Sequence, residues 1–195
     1  MDKTSYAIGM NIGANLRQSG AKNLAYDDIA AGIRDILSGN DTQISNREAG
    51  ELLNKYFTEL EEQMSKAAID EGRAFLAANA ARPGVVSLPS GLQYEVMVEG
   101  NGKKPSAKDT VSCHYHGTLV NGTVFDSSVQ RGEPAQFPVN GVIPGWVEAL
   151  QLMPVGSKWK LFIPYELAYG ARGAGQSIPP YSALIFEVEL LDIVK

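Results

Sequence analysis

The chain has one cysteine, Cys113, and two histidines, His114 and His116, all within "SCHYHG". A single cysteine excludes an internal disulfide, and its strand-like setting marks it as a small buried hydrophobe rather than a reactive thiol. Side chains alternate along a strand, so Cys113 and Tyr115 face one way while His114 and His116 face the other. With no third histidine and the thiol on the opposite face, no metal site is expected, and both imidazoles are expected to face solvent. Also missing is any run of about 18 apolar residues, which excludes a membrane-spanning helix. The opening "MDKTSYAIGMNIGANL" is charged and polar, without the basic segment, apolar run and cleavage site of a leader. A cytoplasmic location is therefore expected, or a periplasmic one if a signal peptide has been removed. There is no clustered basic face, and a net charge of -5 argues against a nucleic-acid partner. What remains is an ordinary globular balance: 195 residues, 44% hydrophobic and 20% charged, with material for one or two cores.

The two halves follow different rules. Up to "AARPGVVSLPSGLQY" apolar residues recur at helical spacing: Ile8, Ile12 and Leu16, then Ile29, Ile33, Ile36 and Leu37, then Leu53, Phe57, Leu60 and Met64. Beyond it, stretches such as "LQYEVMV" and "LIFEVEL" alternate between Gly and Pro punctuation. The spacing predicts a helical domain over 1–83 and a sheet domain over 84–195. Ser45 followed by Glu48 is a capping box, and no proline follows until Pro83, so one long helix is predicted over about 45–82. At about 1.5 Å per residue it would run roughly 55 Å and need something to cover its apolar face. The two shorter helices before it carry too little apolar surface for a core of their own, which points to a homodimer. Gly9 and Gly13 share a helical face and would let a partner helix approach. Tyr6, Met10, Tyr56, Phe57 and Met64 read as packing rather than as a cofactor pocket, and no cofactor is expected. A coiled-coil scaffold is disfavoured because no heptad pattern is sustained.

In the second half, Asn121-Gly122 predicts a type I′ hairpin turn between "CHYHGTLV" and "TVFDSS", which brings Tyr115 and Phe125 into one neighbourhood and sets Asp126 beside Phe125. Phe186, Val188 and Leu190 share a core face, opposite Glu187 and Glu189. "PGWVEALQLM" predicts a short helix with Pro144 near its start and Trp146, Ala149 and Leu150 on one side. Between the last strands lies the long Gly- and Pro-rich loop "YELAYGARGAGQSIPPYS", of a length that usually serves a function. Rings with one open side form a pocket in preference to a sealed core. No Ser-His or Cys-His pair accompanies them.

"VFDSS", "VIPGW", "LMPVGSKW", "LAYG", "IPP" and "LIFEVELL" stand in the order and spacing of FKBP-type peptidyl-prolyl cis-trans isomerases, which the stretch from about Gly91 to Lys195 resembles. The helical half is similar to the dimerisation region of the long bacterial members related to macrophage infectivity potentiator. The resemblance implies an α+β protein, in which an all-α dimerisation domain with a long connecting helix precedes an antiparallel sheet wrapped around a short helix. It implies an enzyme that accelerates X-Pro rotation in folding proteins without covalent chemistry or a metal; the alternative is a non-catalytic, proline-binding chaperone module.

Carried over by motif, the resemblance makes Asp126, Tyr169, Ile143 and Tyr115 the catalytic group. Phe125, Arg131, Phe137, Val142, Trp146, Ile178 and Phe186 become the substrate-binding surface. It implies that Tyr115 and Arg131 hold Asp126, that the Ile143 N–H and the Tyr169 hydroxyl bind substrate carbonyls, and that Asp126 acts either on the rotating carbonyl or by holding Tyr115. Proline-containing polypeptides are the implied partners, and macrolides such as tacrolimus or rapamycin the implied inhibitors. Ala135 stands where many single-domain members carry an aromatic residue, and Ala174 and Ser177 replace bulkier loop groups. These departures bear on peptide preference and drug affinity rather than on catalysis.

Overall fold

A computed structural model of the chain describes residues 1–194. It forms two compact units, Met1–Met64 and Ser65–Lys195. In the first, α1 (Lys3–Gln18) starts at Asp2, whose carboxylate accepts the Ser5 N–H at 2.7 Å, and α2 (Tyr26–Ser38) carries the apolar periodicity read from the sequence. Neither helix buries a single residue. Tyr6, Ile8, Met10, Ile36, Leu37, Leu52, Leu53 and Phe57 remain exposed, and a groove of about 560 Å³ lined by Gly9, Ile12, Gly13, Leu16, Ile29 and Ile33 among others lies between α1 and α2. Tyr56 ties the loop after α1 to α3, its hydroxyl accepting the Lys22 N–H and donating to the Lys22 carbonyl, both at 2.9 Å.

The predicted long helix is α3 (Asn46–Ala80), with the Glu48 N–H donating to Ser45 Oγ at 3.2 Å as the capping motif requires. It ends shortly before Pro83, whose ring disfavours helical geometry in the residue preceding it. The division between compact units falls inside this helix rather than at Pro83-Gly84, because its last turns pack on the sheet. Asn79 and Gln93 are both buried and paired, Asn79 Nδ2 donating to Gln93 Oε1 at 2.8 Å while Gln93 Nε2 donates to the Leu76 carbonyl at 2.9 Å. Phe75 meets Phe162 at 6.0 Å between ring centroids.

The second unit is an antiparallel sheet of β1 (Val85–Ser87), β2 (Gln93–Val98), β3 (Thr110–Leu119), β4 (Val124–Ser127), β5 (Ala135–Pro138), β6 (Lys158–Ile163) and β7 (Leu184–Val194). The order is β1-β2-β6-β7-β3-β4, with β5 paired to the earlier part of β3. A single turn, α4 (Ser128–Arg131), follows β4, and α5 (Pro144–Leu152) packs against the sheet with Trp146, Ala149 and Leu150 buried, the face its spacing predicts. Along β7 Leu184, Phe186, Val188 and Leu190 are buried while Glu187 faces the opposite side, where it pairs with Lys158 and Lys160 at 3.4 Å each.

Two local expectations change. The β3–β4 turn is not type I′: only Gly122 has positive φ, at 84°, and its N–H donates to the Leu119 carbonyl at 2.9 Å. Asn121 keeps an ordinary backbone because its Oδ1 is used locally, accepting the Thr123 N–H at 3.0 Å. The histidines are half-buried instead of solvent-facing, since two consecutive serines rise from the neighbouring strand end. His114 Nδ1 lies 3.1 Å from Ser128 Oγ and His116 Nδ1 3.0 Å from Ser127 Oγ. Cys113 is buried as expected, and removal from water pushes its thiol up to about 12, which leaves it inert.

Candidate active site

The site begins with the register of three strands. β3 sets Tyr115 opposite Val188 and Gly117 opposite Phe186 on β7, and Gly117 opposite Asp126 on β4. Period-two alternation then sends the rings of Tyr115 and Phe186 toward α5, while the register shift between Gly117 and Thr118, which leaves Phe125 without a cross-strand partner, brings the Phe125 ring to the same cluster. Trp146 reaches them from α5, only 4% exposed, and makes edge-to-face contacts with Tyr115, Phe137 and Phe186 at centroid distances of 5.5, 5.4 and 5.1 Å. Phe125 meets Phe186 in the same way at 5.3 Å. Such T-shaped pairs put the positive edge of one ring on the negative face of the next, so the cluster is held in one geometry.

These rings line an open cavity of about 580 Å³ with Asp126, Gly141, Val142, Ile143, Tyr169, Ala174, Ser177 and Ile178. The structure therefore brings together every residue singled out in the sequence except Arg131, which stands behind Asp126. Gly141 and Gly117 are additions. A Cβ at Gly117 would lie 2.7 Å from the Phe125 ring and 2.8 Å from that of Phe186, so the ring pair needs a glycine there. One glycine in a strand signals a close approach without saying to what, so only the fold reveals this one.

Among the described residues, the one charged group in the cavity wall is Asp126. Tyr115 Oη donates to its Oδ2 at 2.5 Å, Arg131 Nη1 bonds its Oδ1, and Arg131 Nη2 donates to Tyr115 Oη at 2.9 Å. The three close a triangle in which each donor meets an acceptor. Partial loss of water pushes the Asp126 carboxyl up, but the Tyr115 and Arg131 hydrogen bonds and the guanidinium charge outweigh it and hold it below its usual value. Burial, and then the Asp126 carboxylate, push the Tyr115 phenol up; burial and the same negative charge raise Tyr169 as well. Asp126 is thus ionised and both phenols protonated at neutral pH. Ile143, at the start of α5, accepts the Trp146 N–H at 2.9 Å with its carbonyl, while its own N–H donates in none of the described hydrogen bonds. Ala174 and Ile178 close the loop on itself with two backbone bonds, of 2.9 and 3.1 Å. Among the described residues no cluster of three or more His, Cys, Asp or Glu could hold a metal.

Residues 101–191 match the family model for the FKBP-type peptidyl-prolyl cis-trans isomerase, and residues 1–96 that for the domain amino-terminal to it. The FKBP-type 22 kDa peptidyl-prolyl cis-trans isomerase of Escherichia coli is 50% identical over 98% of this chain and 95% of its own. The chain belongs to the FKBP-type peptidyl-prolyl cis-trans isomerases. Outer membrane protein MIP of Legionella longbeachae is 44% identical across the whole of this chain and 86% of its own length. The crystal structure of FkpA from E. coli matches with a TM-score of 0.78 at 36% identity, covering 98% of this chain and 95% of FkpA. In this isomerase an α+β architecture, matched along its length by the FkpA structure, joins a helical N-terminal region to an antiparallel sheet domain.

Proposed function

We propose that the aromatic cavity is where this isomerase turns the X-Pro bond. The two planar forms of that amide are nearly balanced but separated by about 18–20 kcal/mol, because rotation breaks resonance. No bond between heavy atoms is made or broken, so the catalyst needs a surface that binds the twisted amide better than either planar one. The observation that carries the reading is a ring-lined cavity whose described lining holds one ionised carboxylate and neither histidine nor thiol; the Ser127–His116 and Ser128–His114 pairs that the sequence did not announce lie outside that lining. Trp146 is the floor under the proline ring, with Phe137, Val142, Ile143, Ile178 and Phe186 as walls. The Ile143 N–H and the Tyr169 hydroxyl, which donate in none of the described hydrogen bonds, hold substrate carbonyls. Phe125 buttresses Phe186, and Tyr115 and Arg131 fix Asp126, whose field acts where the rotating carbonyl reorients. As the amide twists it loses resonance polarity, and an apolar cavity then favours it over water. A proline-peptide isomerisation assay on the full chain tests the reading; a rate equal to background overturns it.

We further infer that residues 1–83 make the chain a homodimer, since α1 and α2 expose an apolar face with no cover within their own unit, and that residues 84–195 carry the catalysis. The same uncovered face supports the second reading, in which it and the cavity grip unfolded clients as a chaperone. That activity is compatible with turnover and is separated from it by the same assay. Macrolides such as rapamycin are expected to compete with peptide for the cavity. The relatives lend the cytoplasmic expectation no support, one of them being named for the outer membrane. A periplasmic location is the alternative, and cell fractionation separates the two.

A further inference from the structure

The last turns of α3, which share a compact unit with the sheet, lie on the loop that forms one side of the cavity. Gly72 is buried there, and a Cβ added to it would come within 3.2 Å of the Ala183 Cβ, tighter than ordinary van der Waals contact. Ala183 is itself only 4% exposed. Around this contact Ala68 and Glu71 of the helix face Pro179 and Ser182 of the loop across a recess of about 140 Å³.

The loop needs such support. It contributes Ala174, Ser177 and Ile178 to the cavity, and it spans the whole stretch from the end of β6 at Ile163 to the start of β7 at Leu184. Tyr181 holds a left-handed backbone at φ 59°, a conformation that a bulky L residue keeps only when its surroundings impose it. The Tyr181 N–H donates to the Gly170 carbonyl at 2.9 Å, and Ser182 Oγ to the Pro179 carbonyl at 2.8 Å. Pro179 and Pro180 fix φ between Ala183 and Ile178, so a shift at the helix contact travels along the chain instead of being absorbed. Close-packed interiors transmit displacement in the same way.

We propose that Gly72 is a positioning residue of the isomerase: by letting α3 lie directly against Ala183, it fixes the Pro179–Ala183 segment and, through it, the Ile178 side of the cavity. The linker helix thereby sets substrate preference from outside the site. This inference rests on the reading of the aromatic cavity as the place of rotation. An incidental glycine would behave in the opposite sense, since any better helix former placed there would strengthen the helix and leave turnover alone.

The test uses the full chain and proline peptides that differ in the residue before proline, with kcat/KM measured beside the thermal midpoint. Gly72→Leu is expected to lower kcat/KM by roughly tenfold and to reorder the peptides, within the range that an ångström-scale misplacement produces. Gly72→Ala should do the same more weakly, and combining it with Ala183→Gly, which removes the facing methyl, should restore the parental profile. Parental kcat/KM and ranking in folded Gly72→Leu, or a loss that Ala183→Gly does not restore, would overturn the proposal. If Gly72→Leu fails to fold, Gly72→Ala and its rescue decide. Trp146→Ala in the same series tests the underlying reading separately: parental turnover in that variant removes the site itself, whatever Gly72 does.

Discussion

Asp126 is the residue whose role chemistry constrains most. Its carboxylate accepts from Tyr115 and Arg131, so its folded pKa lies below its ordinary 3.8. A depressed carboxyl contributes stability above its unfolded pKa and loses it as pH falls through the folded one. That contribution is small here, because the Asp126 side chain is 43% exposed. Over the neutral range the group does not titrate, and Tyr115 and Tyr169 are pushed above their ordinary 10. The peptide kcat/KM should therefore be flat between about pH 5 and 9; a sigmoid inside that window would assign catalysis to a different group. Asp126→Ala should lower kcat/KM by roughly tenfold, equivalent to about 1.4 kcal/mol of transition-state stabilisation, with an almost unchanged thermal midpoint. Parental turnover in Asp126→Ala would remove the electrostatic role and leave only the holding of Tyr115.

Among the elements, the sequence made legible those whose pattern is long or whose residues carry one meaning. α1, α2 and α5 follow from apolar spacing, and the membership of the cavity follows from motif order. The exceptions are positions where one residue type serves two ends. Asn121-Gly122 promises a type I′ turn, but the asparagine side chain binds the backbone ahead of it and only the glycine turns left-handed. His114 and His116 point away from Cys113 as alternation requires, yet Ser127 and Ser128 cover them, and no local pattern announces a neighbour from another strand. Gly72 and Asn79 look like weak helix residues and turn out to be where α3 meets the sheet unit. That docking has a consequence for truncation. A fragment starting at Gly84 strips Phe75 from Phe162 and leaves the buried Gln93 amide without Asn79 and Leu76, whereas one starting at Ser65 keeps all of them. Losing these packing and hydrogen-bond contacts removes stabilisation from the shorter fragment, which should unfold at a lower urea midpoint. Equal midpoints for the two fragments would show the docking to be incidental.

For the whole molecule, the account assigns pairing to the helices and chemistry to the sheet domain. Sedimentation equilibrium of the full chain should give a dimer, because the apolar residues exposed on α1 and α2 have no cover in their own unit; a monomer at micromolar concentration would contradict this. A dimer presents two cavities to one unfolded client and raises the effective concentration of sites around it. Removing residues 1–64 should therefore slow the catalysed refolding of a proline-limited protein far more than the turnover of short peptides. The central claim is that X-Pro rotation takes place over Trp146, which contacts three rings at the heart of the cavity. The direct measurement is kcat/KM on a short proline peptide for the full chain and for Trp146→Ala, scored on folded protein because emptying this site costs about 3–5 kcal/mol of stability. The account predicts turnover well above background in the parent and a loss of roughly a hundredfold in the variant, about 2.7 kcal/mol in the barrier. A folded Trp146→Ala protein that isomerises the peptide at the parental rate would contradict it.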